Sequence, residues 1–158
     1  KVGCDFRAQS TDYMLEGSIK LDNAAKGAAL SLSGNVEIET ELGYLPFKQS
    51  RYLSTFVEQE YKNSPEIEDM ITDRPISAAG DIGDLSVMFP CIQIGYSGFS
   101  GTIHGDDFID EDPEYIFSIF PEFVHRILKN MSGNIDKNRL YKKSFSEYEK
   151  ILKKLEGN

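Results

Sequence analysis

Hydrophobic and polar residues alternate in two short segments near the start of the chain, residues 1–8 and residues 35–42. A period of two predicts a half-buried β-strand in each segment. Between them, apolar residues recur at helical spacing after Ser10 and Thr11, either of which can cap a helix, and this helix is expected to stop at Gly34. A strand, a helix and a strand, each with one apolar face, predict a two-layer α+β lobe with a solvent-facing sheet surface.

The middle of the chain predicts a second, more deeply buried region. The sequence Gly43-Tyr44-Leu45-Pro46 breaks the alternation and marks a boundary, and a helix is expected from about Ser50 to Tyr61. The nearly continuous apolar run at residues 87–95 is typical of a strand covered on both faces, as in the core of an α/β domain. A loop rich in glycine, serine and aspartate follows at residues 97–112.

Two further helices are predicted near the end of the chain. Asp112-Pro113 is a strong helix start, and Pro121 is expected to kink that helix or to restart it. The last helix, at about residues 145–156, is expected to open with a capping box formed by Ser144 and Glu147.

The balance of charge argues against two classes of partner. The 158 residues include 26 acidic and 17 basic side chains, which gives a formal net charge of −9. Such a chain repels phosphate backbones and anionic membranes at long range, so neither nucleic acid nor a membrane is an expected partner. No apolar run approaches the roughly 20 residues that span a bilayer, and the start has no signal-peptide pattern and no initiating Met. We therefore expect a cytoplasmic location and a first residue that lies inside a larger protein.

The two cysteines, Cys4 and Cys91, lie far apart in segments that are predicted to be buried. Free cysteine packs like a small hydrophobe, so we interpret both as reduced core thiols. A disulfide between them stays open at this point, whereas their spacing excludes a CxxC-type metal or redox site.

The chain has only two histidines, and they stand in different settings. His104 lies in a glycine-rich loop directly after the predicted buried strand, where α/β domains collect ligands and catalytic groups. Asp106 and Asp107 are candidates to orient its imidazole. One histidine does not make a site, so a metal or catalytic role and a plain solvated loop both stay open. His125 falls within a helix and is interpreted as a surface or helix-packing residue without a chemical role.

Two carboxylates three residues apart, Asp81 and Asp84, precede the apolar run. They predict either a site for a cation or the polar part of a substrate, or an acidic turn in which Asp84 caps a short helix. The segment is too short and too poor in carboxylates for an EF-hand loop. The chain also lacks a Gly-x-Ser-x-Gly elbow, a Walker loop, a dinucleotide fingerprint and a His-Glu-x-x-His helix.

Taken in order, these motifs resemble the C-terminal portion of the dinuclear-metal aminoacylase and carboxypeptidase superfamily, in its amidohydrolase branch. That branch includes hippurate-type and aminobenzoyl-glutamate-type hydrolases, and the resemblance covers most of residues 1–130. One departure is Ala79-Gly80, where members of the family more often have Ser-Thr. The matching segments are Cys4-Asp5-Phe6-Arg7-Ala8, Gly27-Ala28-Ala29, Val36-Glu37-Ile38-Glu39, Gly43-Tyr44-Leu45-Pro46, Asp81-Ile82-Gly83-Asp84-Leu85-Ser86 and Gly101-Thr102-Ile103-His104-Gly105-Asp106-Asp107-Phe108.

The resemblance implies a fold, a site and a reaction. Residues 1–44 would be the second half of a lid domain that carries dimerisation, residues 45–131 the C-terminal part of a catalytic α/β metallohydrolase domain, and residues 132–158 a helical tail. His104 would be the last metal ligand, and Asp81 and Asp84 would lie near the substrate pocket. The reaction would be hydrolysis of an amide bond in an N-acyl amino acid or small peptide. The resemblance places the general base and the other ligands to zinc, manganese or similar divalent ions upstream of this chain.

Three expectations follow for the isolated chain. It should not hold a divalent ion tightly or hydrolyse a substrate, because one imidazole is fewer than the roughly three protein ligands of a catalytic site. It should self-associate as a homo-oligomer, because the family places a strand from the missing half between the two lid strands. The main alternative to the hydrolase function is a non-catalytic binding or assembly module. A calcium-binding protein that uses the acidic loop at residues 106–112 is a weaker alternative.

Overall fold

The computed structural model describes residues 1–72, 74 and 80–156, and it is a mixed α+β structure dominated by helices. Its one sheet among these residues has two short antiparallel strands, with Phe99 opposite Asp110 and Ser100 opposite Ile109. The α-helices are α1 (Thr11–Ser31), α2 (Arg51–Lys62), α3 (Ile82–Met88), α4 (Phe120–Asn134) and α5 (Phe145–Glu156), and the strands are β1 (Phe99–Ser100) and β2 (Ile109–Asp110).

The predicted helices are confirmed, and local capping explains where they start. The Ser10 side chain accepts a hydrogen bond from the backbone N–H of Tyr13 at the start of α1. At the start of α5, the Ser144 backbone N–H donates to Glu147 Oε2 at 2.8 Å, and the Glu147 N–H donates to Ser144 Oγ at 3.3 Å. This reciprocal pair is the predicted capping box, and it satisfies two N–H groups that a helix end otherwise leaves unpaired.

Pro121 restarts its helix, as predicted. Residues 115–119 form a π-helical turn that leads directly into α4, and Pro121 lies within the first two positions of the α-helix. The Phe120 N–H donates to the Tyr115 carbonyl, five residues back, so Pro121 lies where the hydrogen bonds change from π-helical to α-helical spacing. The Asp112 side chain accepts from the Tyr115 N–H at 3.0 Å, which confirms it as the capping residue.

The two strands predicted at residues 1–8 and 35–42 are wrong for this chain. The structure shows neither segment paired in a sheet, and their side chains are exposed except for Ala8 and Leu42, which are half-buried. A strand is stabilised by ladder hydrogen bonds to a neighbour, and an alternating pattern supplies the apolar face but not the neighbour. The predicted burial of Cys4 fails for the same reason, since Cys4 is exposed. Cys4 and Cys91 are both free, in agreement with the predicted reduced state.

The strand predicted at residues 87–95 is also wrong. Its first residues, Val87 and Met88, complete helix α3, and the rest has no ladder beyond a single parallel bridge between Cys91 and Gln49. A parallel strand buried on both faces needs strands on its edges, and among the residues that the structure describes only Gln49 fills that role. Residues 82–88 form a short helix instead of a strand, because a helix closes its hydrogen bonds within the segment.

The described residues fall into two compact units. The first comprises residues 1–48, 80–89 and 141–156, and the second comprises residues 49–72, 74 and 90–140. The two units are groups of residues in contact within this chain, and they do not test domain boundaries of a larger protein. The domain ranges 1–44, 45–131 and 132–158 therefore remain a prediction.

The second unit has the larger apolar core, formed where α2 and α4 pack together. Arg126 of α4 supports this packing: its Nε donates to Glu60 Oε1 at 2.7 Å and an Nη donates to Ser64 Oγ at 2.8 Å, while Glu66 binds the same guanidinium. The buried members of the core are Phe56, Val57, Ile67, Phe123 and Ile127.

No helix within the described residues is both long enough and apolar enough to cross a bilayer.

Candidate functional site

His104 lies at the tip of the loop that joins β1 to β2. The Gly105 N–H donates to the Thr102 carbonyl at 2.7 Å, which closes a β-turn with His104 as its third residue. The φ angle of His104 is +66°, in the left-handed region that turns of this kind usually fill with glycine or asparagine. The side chain is exposed. The backbone therefore presents the imidazole to solvent from a fixed turn.

The shape of the His104 loop is set by Asp107 and Gly101. One carboxylate oxygen of Asp107 accepts from both the backbone N–H and the hydroxyl of Thr102, each at 3.2 Å. Gly101 has a φ of +92°, and a Cβ at this position would come within 2.1 Å of the Asp107 carbonyl oxygen. Only glycine meets both conditions.

One expectation about this loop needs correction. His104 follows a two-residue strand in an antiparallel hairpin rather than a long buried strand of a parallel sheet, because the apolar run before it divides between α3 and an extended segment. Asp107, a candidate to orient the imidazole, accepts both hydrogen bonds from Thr102 on one carboxylate oxygen, and its role toward His104 remains a prediction. The predicted role of His104 as a metal ligand remains a prediction.

The predicted acidic pair lies at the start of helix α3. Asp81 is the residue before the first turn, where its side chain makes no capping hydrogen bond, and Asp84 lies within that turn. The interpretation of Asp84 as a cap is therefore wrong, although the short helix exists. Acidic residues are favourable here because the helix dipole is positive at its N-terminal end.

Each of these carboxylates has a tyrosine partner. The hydroxyl of Tyr148, on α5, donates to Asp84 Oδ1 at 2.9 Å. The hydrogen bond between Tyr44 and Asp81, together with the charge of Asp81, raises the pKa of the Tyr44 hydroxyl. Sequence patterns gave no sign of these pairs, because Tyr148 is 64 residues away from Asp84.

Beneath the acidic pair, helix α3 packs tightly on the segment 45–48. The fully buried Ser86 donates from Oγ to the Gly83 carbonyl at 2.6 Å and accepts from the Lys48 N–H at 2.9 Å. A Cβ on Gly83 would come within 1.9 Å of the Leu45 carbonyl oxygen. The two carboxylates thus lie at the start of a helix whose other side is in direct contact with the backbone of residues 45–48.

The remaining sequence candidates add no site. His125 lies exposed on α4, as predicted. Within residues 1–72, 74 and 80–156, no three histidine, cysteine, aspartate or glutamate side chains are close enough together to hold a metal ion. Ala79, where the sequence departs from the family pattern, lies outside the described residues.

Comparisons with protein-family models, with curated proteins and with solved structures found no match to this chain.

Proposed function

We propose that this chain is the C-terminal part of a metal-dependent amidohydrolase that cleaves an amide bond of an N-acyl amino acid or small peptide. The observation that carries the proposal is His104, an exposed imidazole on a turn of fixed shape, within the series of motifs that resembles this superfamily. In this reading residues 1–44 belong to a lid that carries dimerisation, residues 45–131 to the catalytic domain and residues 132–158 to a helical tail.

The geometry of the His104 loop suits a metal ligand. A ligand needs a backbone that does not move and a ring whose nitrogen is accessible, and the hydrogen bonds between Asp107 and Thr102 supply the first condition. The exposure of His104 supplies the second. The loop offers one donor, however, and a catalytic zinc site takes about three protein ligands. This chain does not fit a metal by itself, so the remaining ligands and the general base are proposed to come from upstream sequence.

Divalent ions such as zinc or manganese, when bound in the intact enzyme, would supply an activated water for hydrolysis of the amide. His104 would contribute a ring nitrogen, and Asp81 and Asp84 would accept hydrogen bonds from polar N–H groups of the substrate. A cytoplasmic location is part of the proposal, since free cysteines such as Cys4 and Cys91 are the rule in reducing compartments.

The test compares two histidine variants in the full-length protein that carries this chain. We expect His104→Ala to lose bound metal and to reduce hydrolysis of N-acyl amino acids by about 100-fold or more, because loss of even an outer-sphere partner of a ligand costs about 10–100-fold. His125→Ala, at an exposed position of helix α4, is the matched control and should stay within about twofold of the wild type. Metal content by mass spectrometry and initial rates of hydrolysis measure both effects.

Three outcomes would contradict the proposal: a wild-type protein without metal, equal effects of the two variants, or metal held by His104→Ala at the wild-type level. As a further arm, calorimetric titration of the isolated chain with zinc or manganese should show no binding at micromolar concentration. Tight binding there would mean that the chain builds a complete site without upstream ligands.

A second candidate function, a binding or assembly module, is favoured by helix α1. None of the 21 residues of α1 is buried, and its apolar side chains include Ile19, 50% exposed, and Leu30, 77% exposed. Most of the stability of a helix in a protein comes from packing one of its faces, so something outside the described contacts is expected to cover α1. The His104→Ala comparison distinguishes the hydrolase from the binding module, since a binding module has no bound metal and no hydrolytic activity to lose.

We expect the isolated chain to self-associate through the uncovered segments 1–8 and 35–42 and helix α1. Unpaired alternating segments recruit further strands, and exposed apolar side chains add to the drive for association. Light scattering coupled to size exclusion should report a mass of at least twice 17.8 kDa at tens of micromolar chain. A strictly monomeric peak over that concentration range would show that these segments do not mediate association.

A further inference from the structure

The hairpin formed by β1 and β2 packs against helix α4 through one face. Phe99 stacks on Phe108 with ring centroids 5.1 Å apart. Tyr96 contacts Phe99 at 5.5 Å and stacks at 4.2 Å on Phe120, the first residue of α4. Side chains alternate between the two faces of a strand, so Ile109, which follows Phe108, points to the opposite face. Ile109 is 58% exposed there, so this second face is open to solvent.

The open side of the hairpin combines apolar and acidic side chains. Ile103, in the loop between the strands, is 74% exposed, and Asp106 is exposed in the same loop. The Glu111 N–H donates to the Gly98 carbonyl at 2.8 Å, which extends the pairing and places Glu111 on the same face as Ile109. Antiparallel sheets usually turn polar side chains to water, so exposed isoleucines here are typical of a surface that a partner covers. We call Ile103, Asp106, Ile109 and Glu111 the hairpin surface.

The C-terminal segment 142–154 has the opposite charge. It contains five lysines and two glutamates, whereas residues 102–117 contain six carboxylates and no lysine or arginine. Phe145 at the start of α5 is 64% exposed, and Lys142 and Lys153 are exposed. Leu155, 9% exposed, marks the buried side of α5, and Lys153 lies on the other side because residues two apart in a helix are about 200° apart. We call Lys142, Phe145 and Lys153 the C-terminal surface.

We propose that the hairpin surface of one copy of this chain binds the C-terminal surface of a second copy. The exposed phenylalanine of one copy covers the exposed isoleucines of the other, and the lysines meet the carboxylates. Because the two surfaces differ, the contact is heterologous: a pair keeps one free surface of each kind, and longer assemblies grow with concentration. This inference does not rest on the proposed hydrolase function, and it uses residues outside the segments 1–8 and 35–42 and helix α1.

Electrostatics favours a second copy as the occupant. The net charge of −9 repels another copy at long range, but the Debye length is about 8 Å at physiological ionic strength, so the charges at the contact itself decide. A partner for the hairpin surface needs lysine or arginine beside an exposed apolar side chain, and the C-terminal surface of this chain has both. Two hairpin surfaces repel each other, as do two C-terminal surfaces, which leaves the mixed pairing.

Two charge-reversal variants test this pairing. Asp106→Lys with Glu111→Lys reverses the hairpin surface, and Lys142→Glu with Lys153→Glu reverses the C-terminal surface. All four side chains are exposed, so both variants are expected to fold, and circular dichroism checks that they do.

Fluorescence anisotropy measures each pairing, with a fluorophore on the α-amino group of one chain. Each variant should bind itself at least about 30-fold more weakly than the wild type binds itself, because like charges replace opposite ones at the contact. The two variants together should recover the wild-type affinity to within about threefold, since one keeps an intact C-terminal surface and the other an intact hairpin surface. Association through α1 or the segments 1–8 and 35–42 would be equal in all of these pairings.

A control and an apolar variant complete the test. Lys48→Glu with Lys129→Glu makes the same change in net charge at exposed lysines outside both surfaces, and its self-association should stay within about twofold of the wild type. Phe145→Ala should weaken self-association about tenfold without any change in charge.

Four results would overturn the proposal. They are a wild type that shows no self-association at about 100 μM, a charge-reversal variant that binds itself as the wild type does, a mixed pair as weak as the two self-pairs, and an equal loss in the control. Unchanged binding by Phe145→Ala would also overturn it, and that variant decides even if a charge reversal prevents folding.

Discussion

Replacement of Ile127 by alanine is expected to lower the free energy of unfolding of the second unit by about 2–5 kcal/mol, the range for large aliphatic residues truncated in a packed core. Ile127 is 1% exposed and lies in the cluster that includes Phe56, Val57 and Phe123. The truncation removes apolar area that folding takes out of water, and it leaves a cavity between α2 and α4. The two losses add because the surrounding helices collapse into such a cavity only in part.

The neighbouring residue provides the control for Ile127→Ala. Leu128 lies on the same turn of α4 and is 60% exposed, so Leu128→Ala removes a similar side chain without a core cavity. Its effect should stay within about 0.5 kcal/mol. Urea unfolding followed by circular dichroism, with the slope compared between variants, measures both changes. If the two variants were equally stable, the core of the second unit would not lie where the structure places it.

Replacement of Gly83 by alanine is the second large expected loss. A Cβ at this position would lie 1.9 Å from the Leu45 carbonyl oxygen and 3.0 Å from the Leu45 carbonyl carbon. Alanine is favoured over glycine in a helix by about 1 kcal/mol, but the collision is with backbone, which cannot rotate away as a side chain can. Overpacking of this kind costs about 1–3 kcal/mol or more, so we expect α3 to shift or melt and residues 82–89 to lose exchange protection.

Gly27 is the matched control, since it also lies within a helix. A Cβ there would meet nothing within 4 Å, so Gly27→Ala should gain about 0.5–1 kcal/mol in the stability of α1 from helix propensity alone. The same chemical change is thus expected to have opposite signs at the two positions. Thermal unfolding with hydrogen exchange resolved by segment distinguishes them, and an equal sign at both would refute the close contact between α3 and Leu45.

The helices could be predicted from sequence because their causes are local. Ser10 binds the N–H of Tyr13, Asp112 binds the N–H of Tyr115, and the Ser144–Glu147 pair closes over three residues. Each of these contacts joins residues close enough in sequence to be recognised as a motif. The helical bounds then follow from the spacing of apolar residues and from the stop signals.

The strands could not be predicted because their causes are distant. Residues 1–8 have the right alternation, yet a strand exists only where another backbone offers its N–H and C=O groups. The apolar run at 87–95 was predicted as a strand, but its first residues, Val87 and Met88, complete helix α3. An alternating pattern indicates which face of a segment is apolar, but it does not show whether a neighbouring strand is present.

The same distinction between local and distant causes applies to the candidate site. A loop around His104 was predicted, and the structure has one, but its left-handed φ and the hydrogen bonds from Thr102 to Asp107 depend on turn geometry that composition does not encode. The contacts of Tyr148 with Asp84 and of Tyr141 with Ser86 join residues 64 and 55 positions apart. No short motif links such positions, and only tertiary structure brings them together.

The left-handed backbone at position 104 has a thermodynamic consequence. An L-residue pays about 1–2 kcal/mol for that conformation, and glycine pays almost none of it. The hairpin would therefore form more readily with glycine at position 104, because the strain comes from the Cβ that histidine carries. The histidine side chain makes the hairpin less stable, so any benefit from its ring has to come from what the ring meets outside the hairpin.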